Sequence, residues 1–164
     1  MPTVGARRIG AVKVFERLWQ ETGCRAVIEA LLNTRRFAFA VERAIFLTVL
    51  HRLLAPGSDR AAERWRKDYA VAGVERLELH HLYRAMAWLG EALADQQGAT
   101  PFNPCCTKDL IEEGLLARHR DLLSDLDLVF FDTTSLDFEG AGGDTLGRHG
   151  FSKDHRPDLK QMVV

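Results

Sequence analysis

The residue best placed to do chemistry is Asp132. It ends the apolar run Leu128-Val129-Phe130-Phe131, which reads as a buried strand. A carboxylate at that point is desolvated, and this is costly unless it is paired or holds a cation. Two readings stand side by side. Asp132 is a metal ligand in an active site, or it is a strand-end aspartate that caps the next turn with its own side chain. Thr133, Thr134, Leu136 and Phe138 continue in β-favouring residues, and Glu139-Gly140 ends the element.

The other reactive side chains point to less. Cys24, Cys105 and Cys106 are odd in number and lack metal-site spacing. The adjacent pair is geometrically poor for a disulfide, and a reducing cytoplasm is the natural inference. His80 and His81 have no cysteine or acid at ligand spacing, so surface or capping roles are expected of them. The basic residues Arg60, Arg64, Arg66 and Lys67 crowd one segment, where they could meet phosphates. Asp59, Glu63 and Asp68 dilute that charge, and Glu63 and Lys67 stand at a stabilising four-residue spacing.

The elements that must carry these groups are mostly helical. Residues 9–22 repeat Ile9, Val12, Phe15, Leu18 and Trp19 at helical steps, with Gly23 as a stop. Residues 24–32 continue as a helix with Val27, Ile28, Leu31 and Leu32 on one face, and 33–39 is a break. Residues 41–54 predict a strongly amphipathic helix with Ala44, Ile45, Thr48, Val49 and Leu53 on one face. Ala55-Pro56-Gly57 halts it. Ser58 then caps a helix over 59–69. That pair is either a helix-turn-helix or a plain helical hairpin. Further helices are expected over 79–94, with Leu82, Tyr83, Met86, Leu89 and Leu93 on one side and Ala85 and Trp88 beside them, and over 107–123, with Thr107 able to cap.

The 164 residues carry a formal net charge of -1, so any nucleic-acid binding must come from local basic patches. No run approaches a membrane span, and the N-terminus lacks the apolar core of a signal peptide. The expected fold is therefore a mainly α region over 1–123, a candidate DNA-binding part. It is followed over 124–164 by the first β-strands of an α/β unit.

Two strings carry a family resemblance. Phe131-Asp132-Thr133-Thr134-Ser135 and Gly147-Arg148-His149-Gly150-Phe151-Ser152-Lys153-Asp154-His155-Arg156-Pro157-Asp158-Leu159-Lys160-Gln161 together resemble insertion-sequence transposases of the DDE type. The catalytic domain of that family has the RNase H-like fold. Val41-Glu42-Arg43-Ala44 and His51 to Ser58 in the helical part also look family-like.

The resemblance implies DNA transposition by metal-dependent phosphodiester cleavage and strand transfer. Asp132 matches the family's first catalytic aspartate and would be a ligand for Mg2+ or Mn2+. The ions would activate the attacking oxygen and stabilise the leaving one. The string ending at Gln161 marks the approach to a second strand beginning near Lys160. Arg148, Lys153, His155, Arg156 and Lys160 either contact the DNA backbone or form a solvated loop.

The family's second aspartate and its glutamate are expected beyond Val164, and Asp137, Glu139, Asp144, Asp154 and Asp158 are not expected in those roles. The chain is thus expected to be an N-terminal piece that is inactive alone. Its implied partners are transposon-end and target DNA, with a homo-oligomer in the full-length enzyme and no membrane. Its implied location is the bacterial cytoplasm, on the nucleoid when bound to DNA. The alternative is a non-catalytic DNA-binding or regulatory helical module.

Overall fold

Glycine, proline and a serine cap divide the first part of the chain into helices. In the computed structural model, which describes residues 6–99, 104–119, 135–138, 147–150, 156 and 158–163, these are α1 (Gly10–Glu21), α2 (Cys24–Leu32), α3 (Val41–Leu54) and α4 (Asp59–Trp65). A 3-10 turn over Arg66–Asp68 continues α4, and α5 (Leu79–Leu89) and α6 (Thr107–Arg118) follow. Two short strands, β1 (Ser135–Phe138) and β2 (Lys160–Val163), complete the described elements. The chain is mainly helical with a small antiparallel sheet. It divides into two units, Met1–Ser124 and Asp125–Val164.

Gly23 joins α1 to α2 with φ of 82°, a left-handed conformation that glycine adopts without strain. Pro56-Gly57 separates α3 from α4, and the Ser58 hydroxyl accepts the Ala61 N–H at 3.3 Å, capping α4 as expected. Glu78 and His81 reciprocally cap α5, with His81 Nδ1 accepting the Glu78 N–H at 3.0 Å. The expected capping role of a histidine is met there. The cap of α6 is Cys106 rather than Thr107, because the Asp109 carboxylate takes the Cys106 N–H at 2.7 Å. Thr107 lies one residue inside and is buried.

The expectation of an amphipathic α3 is corrected. Every residue from Val41 to Thr48 is buried, as are Leu50 and His51, whereas Leu53 is 58% exposed. The physical reason is position: α1, α2, α4 and α5 all pack on α3, leaving it no solvent face over most of its length. Phe46, Leu47 and Leu50 form the core with Val12, Ile28, Leu82 and Trp88.

The apolar side of α5 is the expected one except at Tyr83, with Met86 and Leu89 packed against the core. Leu82, Ala85 and Trp88 are buried, while Tyr83 is exposed. The helix stops at Leu89 rather than near Ala94, because the next residues make extended pairings instead. Leu93 N–H donates to Cys105 O at 2.9 Å, and Thr107 N–H donates to Glu91 O at 3.1 Å. The Gln96 side chain bonds the Leu93 and Cys105 carbonyls and the Cys105 N–H, locking this turn. Where α2 and α6 cross, Gly114 lies so close to Val27 that an added Cβ would sit 2.8 Å from its Cγ1. No helix among the described residues is long and apolar enough to cross a membrane.

In the second unit, β1 and β2 pair antiparallel in the register Ser135 with Val163, Leu136 with Met162, Asp137 with Gln161 and Phe138 with Lys160. Arg148 adds a further antiparallel bridge to Gln161, with N–H···O distances of 2.9 and 2.8 Å.

Candidate nucleic-acid interface

α4 and the turn after it carry the basic cluster, and the fold sorts its members. Arg60, Arg64 and Lys67 are all exposed. At 3.6 residues per turn, their spacing of four and three sets them along one side. Arg66 does not join them. Its guanidinium turns inward and donates to the Val74 and Leu77 carbonyls at 2.8 and 2.6 Å, clipping the loop before α5.

The acids that dilute this charge in the sequence are also turned away. Asp59 is buried, with the Arg52 guanidinium 3.8 Å from it, a distance too long for a hydrogen bond. Glu63 accepts the Leu79 N–H at 3.3 Å and so serves α5 rather than Lys67. Of the segment's acids only Asp68 stays exposed. The exposed side is therefore more basic than the sequence suggests. Patterning alone could not reveal this, because which rotamer an acid adopts depends on donors distant in sequence.

The second unit holds the remaining site residues. Asp132 and Lys153 lie outside the described residues, as do the apolar run before Asp132 and His155. Arg156 is exposed and forms a two-pronged ion pair with Asp158, at 3.1 and 3.0 Å. That hydrogen bonding, first of all, holds the Asp158 carboxyl below the usual carboxylate range. Any phosphate contact by Arg156 competes with this pair. Lys160 is half-buried at the start of β2. Gln161 is buried, and its amide donates to the Arg156 carbonyl at 2.6 Å, tying the loop to the strand. Opposite it, the Asp137 Oδ1 is buried without a hydrogen-bond partner among the described residues.

No group of three His, Cys, Asp or Glu residues among the described residues could hold a metal ion. The described part of the chain thus gives Mg2+ or Mn2+ no ligand set, and no catalytic step is derived through a metal.

A buried polar network was missed in the sequence. Trp19 Nε1–H donates to Glu42 Oε1 at 2.6 Å, and Arg43 pairs with Glu42 from the next position and with Glu16 of α1 at 2.7 Å. Burial alone would lower the Arg43 pKa, but the hydrogen bonds and charges of Glu42 and then Glu16 outweigh it, and the net shift is upward. The Arg43 guanidinium also lies 4.7 Å from the Phe46 ring centroid. The only sequence signal was a charged pair inside a strongly apolar helix. Nearby, buried His51 packs against Trp65, and its pKa is lowered chiefly by burial, with Asp59 opposing the shift.

No family model, no curated protein and no solved structure matches this chain.

Proposed function

We propose that the chain acts on DNA as part of a DDE-type transposase, with an RNase H-like fold in the second unit and Asp132 as a ligand for Mg2+ or Mn2+. The observation that carries this reading is the start of β2 at Lys160, antiparallel to β1. That is where the resemblance puts a second strand. The same reading implies transposon-end and target DNA as partners, a homo-oligomer in the active enzyme, and work in the bacterial cytoplasm on the nucleoid.

The second reading, a non-catalytic DNA-binding or regulatory module, is favoured by a different observation. Arg60, Arg64 and Lys67 share one exposed side while Asp59 and Glu63 turn inward. Duplex binding by this side would be electrostatic and strongly salt-dependent.

Fluorescence anisotropy with labelled duplex DNA across a salt series tests the basic side. The triple variant Arg60→Ala, Arg64→Ala, Lys67→Ala is expected to weaken binding. It should also flatten the log–log salt slope by about 0.9 for each lost phosphate contact. An unchanged slope would remove α4 from the interface. For the catalytic part, Asp132→Ala in a transposition-competent protein containing this chain is expected to keep DNA binding and lose Mg2+-dependent cleavage. Retained cleavage would sink the metal-ligand role.

A further inference from the structure

The loop between α2 and α3 builds a second surface of different chemistry. Phe37 and Phe39 are half-buried and stand edge-to-face, 6.1 Å between centroids. The His81 ring stacks on Phe39 at 4.6 Å and 30°, and His80 lies 3.9 Å beyond it. Arg35 sits over the Phe37 ring at 5.3 Å and Arg84 over Phe39 at 5.5 Å. Two clefts, of 510 and 380 Å³, meet here, since Phe37, Phe39 and Ala40 line both. Each volume falls within the roughly 300–1,000 Å³ of ordinary small-ligand sites.

The charge around this trough favours an anion. Arg36, Arg76 and Arg84 are exposed and form no ion pair among the described residues. Of the acids, Glu29 is paired with Arg25, Glu91 with Arg35 and Glu42 with Arg43. Two exposed acids remain beside the trough: Glu75, which accepts the Gly73 N–H at 3.3 Å, and Glu78, 3.4 Å from the His80 Nδ1.

We propose that this trough binds single-stranded DNA, with unpaired bases stacking against the Phe37–Phe39–His81 rings and phosphates meeting Arg76 and Arg84. Aromatic rings interleaved with guanidinium groups suit an unpaired strand, because every base offers a π-face and every linkage a negative charge. A duplex fits poorly, since its base faces are already stacked on one another. His81, whose pKa is lowered mainly by burial, stacks as a neutral ring. The inference rests on the reading that this chain acts on DNA, and it adds a second contact surface that takes unpaired strand.

The test is fluorescence anisotropy of the full chain with a labelled mixed-sequence single-stranded oligonucleotide of about a dozen nucleotides, beside the duplex titration above. Phe37→Leu with Phe39→Leu keeps the positions apolar, with less volume, and removes the rings. It is expected to lower single-strand affinity about fivefold or more and to leave duplex affinity unchanged. Arg76→Glu with Arg84→Glu, at exposed positions, is expected to do the same, and it decides the matter alone if the ring variant fails to fold by circular dichroism. Unchanged single-strand affinity in the charge-reversal variant overturns the proposal. So does a poly-glutamate peptide that competes as well as the oligonucleotide, because the surface would then be an acidic-peptide site. Duplex binding without single-strand binding overturns this inference while leaving the DNA-binding reading intact. Single-strand binding at the trough without duplex binding sustains it and removes the role of α4.

Discussion

The Glu42–Arg43 network of α3 and the buried pair of the β1–β2 ladder are satisfied differently, although the helical unit also holds buried Thr48 Oγ1, Asp59 Oδ1 and Arg66 Nε with no hydrogen-bond partner among the described residues. In α3, Glu42 and Arg43 lie in the core with every strong partner supplied, by each other, by Glu16 and by the Trp19 indole. In the strand pair, Gln161 is buried and satisfied, but the buried Asp137 Oδ1 opposite it in register has no hydrogen-bond partner among the described residues. Leu136 on the same strand is 45% exposed. A central helix wrapped by four neighbours can bring donors from several elements to one carboxylate. A two-stranded ladder can draw only on its partner strand and adjoining loop. Stability is thus expected to concentrate around α3, while the strand pair depends on whatever covers it.

That contrast can be broken by experiment, because all three tryptophans, Trp19, Trp65 and Trp88, lie in the first unit and report its unfolding alone. The largest effect is expected from Glu42→Ala, which strips a buried guanidinium and an indole of their shared acceptor. Urea unfolding followed by tryptophan fluorescence should show a loss of about 3–5 kcal/mol. A loss below 1 kcal/mol would mean that Arg43 is adequately held by Glu16 alone. Leu47→Ala, at a fully buried position of α3, should cost about 2–5 kcal/mol. Leu136→Ala, by contrast, should leave the tryptophan transition where it is. If the two behave alike, the units do not unfold separately.

Gly114→Val is expected to cost about 1–3 kcal/mol, since its side chain would collide with Val27 where α2 and α6 cross. The smallest effect concerns pH. The folded-state pKa of His51 is lowered, so the unfolded chain takes up the proton first, near the ordinary value of 6.5. Its contribution is therefore present above that pH and declines as pH falls below it. His51→Phe should reduce the slope of stability against pH just below 6.5, where the unperturbed carboxylates are still charged. An unchanged slope would assign the acid sensitivity to other groups, His81 among them.

Much of the helical unit was legible where punctuation is local. Gly23, Pro56-Gly57 and Ser58 mark the α1–α2 junction, the end of α3 and the start of α4, because each acts through its own backbone or its immediate neighbours, whereas α4 ends at Trp65 rather than at the expected Tyr69. The exposed spacing of Arg60, Arg64 and Lys67 was readable for the same reason. The orientation of the acids was not, since Glu63 answers to Leu79 and Asp59 to Arg52. The end of α5 was misjudged because nothing between Gly90 and Ala94 announces a pairing with Cys105 and Thr107.

The sequence by itself therefore determined the breaks between α1 and α2 and between α3 and α4, and the number of charges on α4. Only the tertiary structure decided that α3 is central rather than amphipathic, that Arg66 is a loop clip, and that Phe37, Phe39 and His81 meet beside Arg35 and Arg84. The physical reason is range. Caps and breakers act within one turn of chain, whereas burial, ion pairing and ring stacking join residues tens of positions apart, and their partners are fixed only when the helices pack.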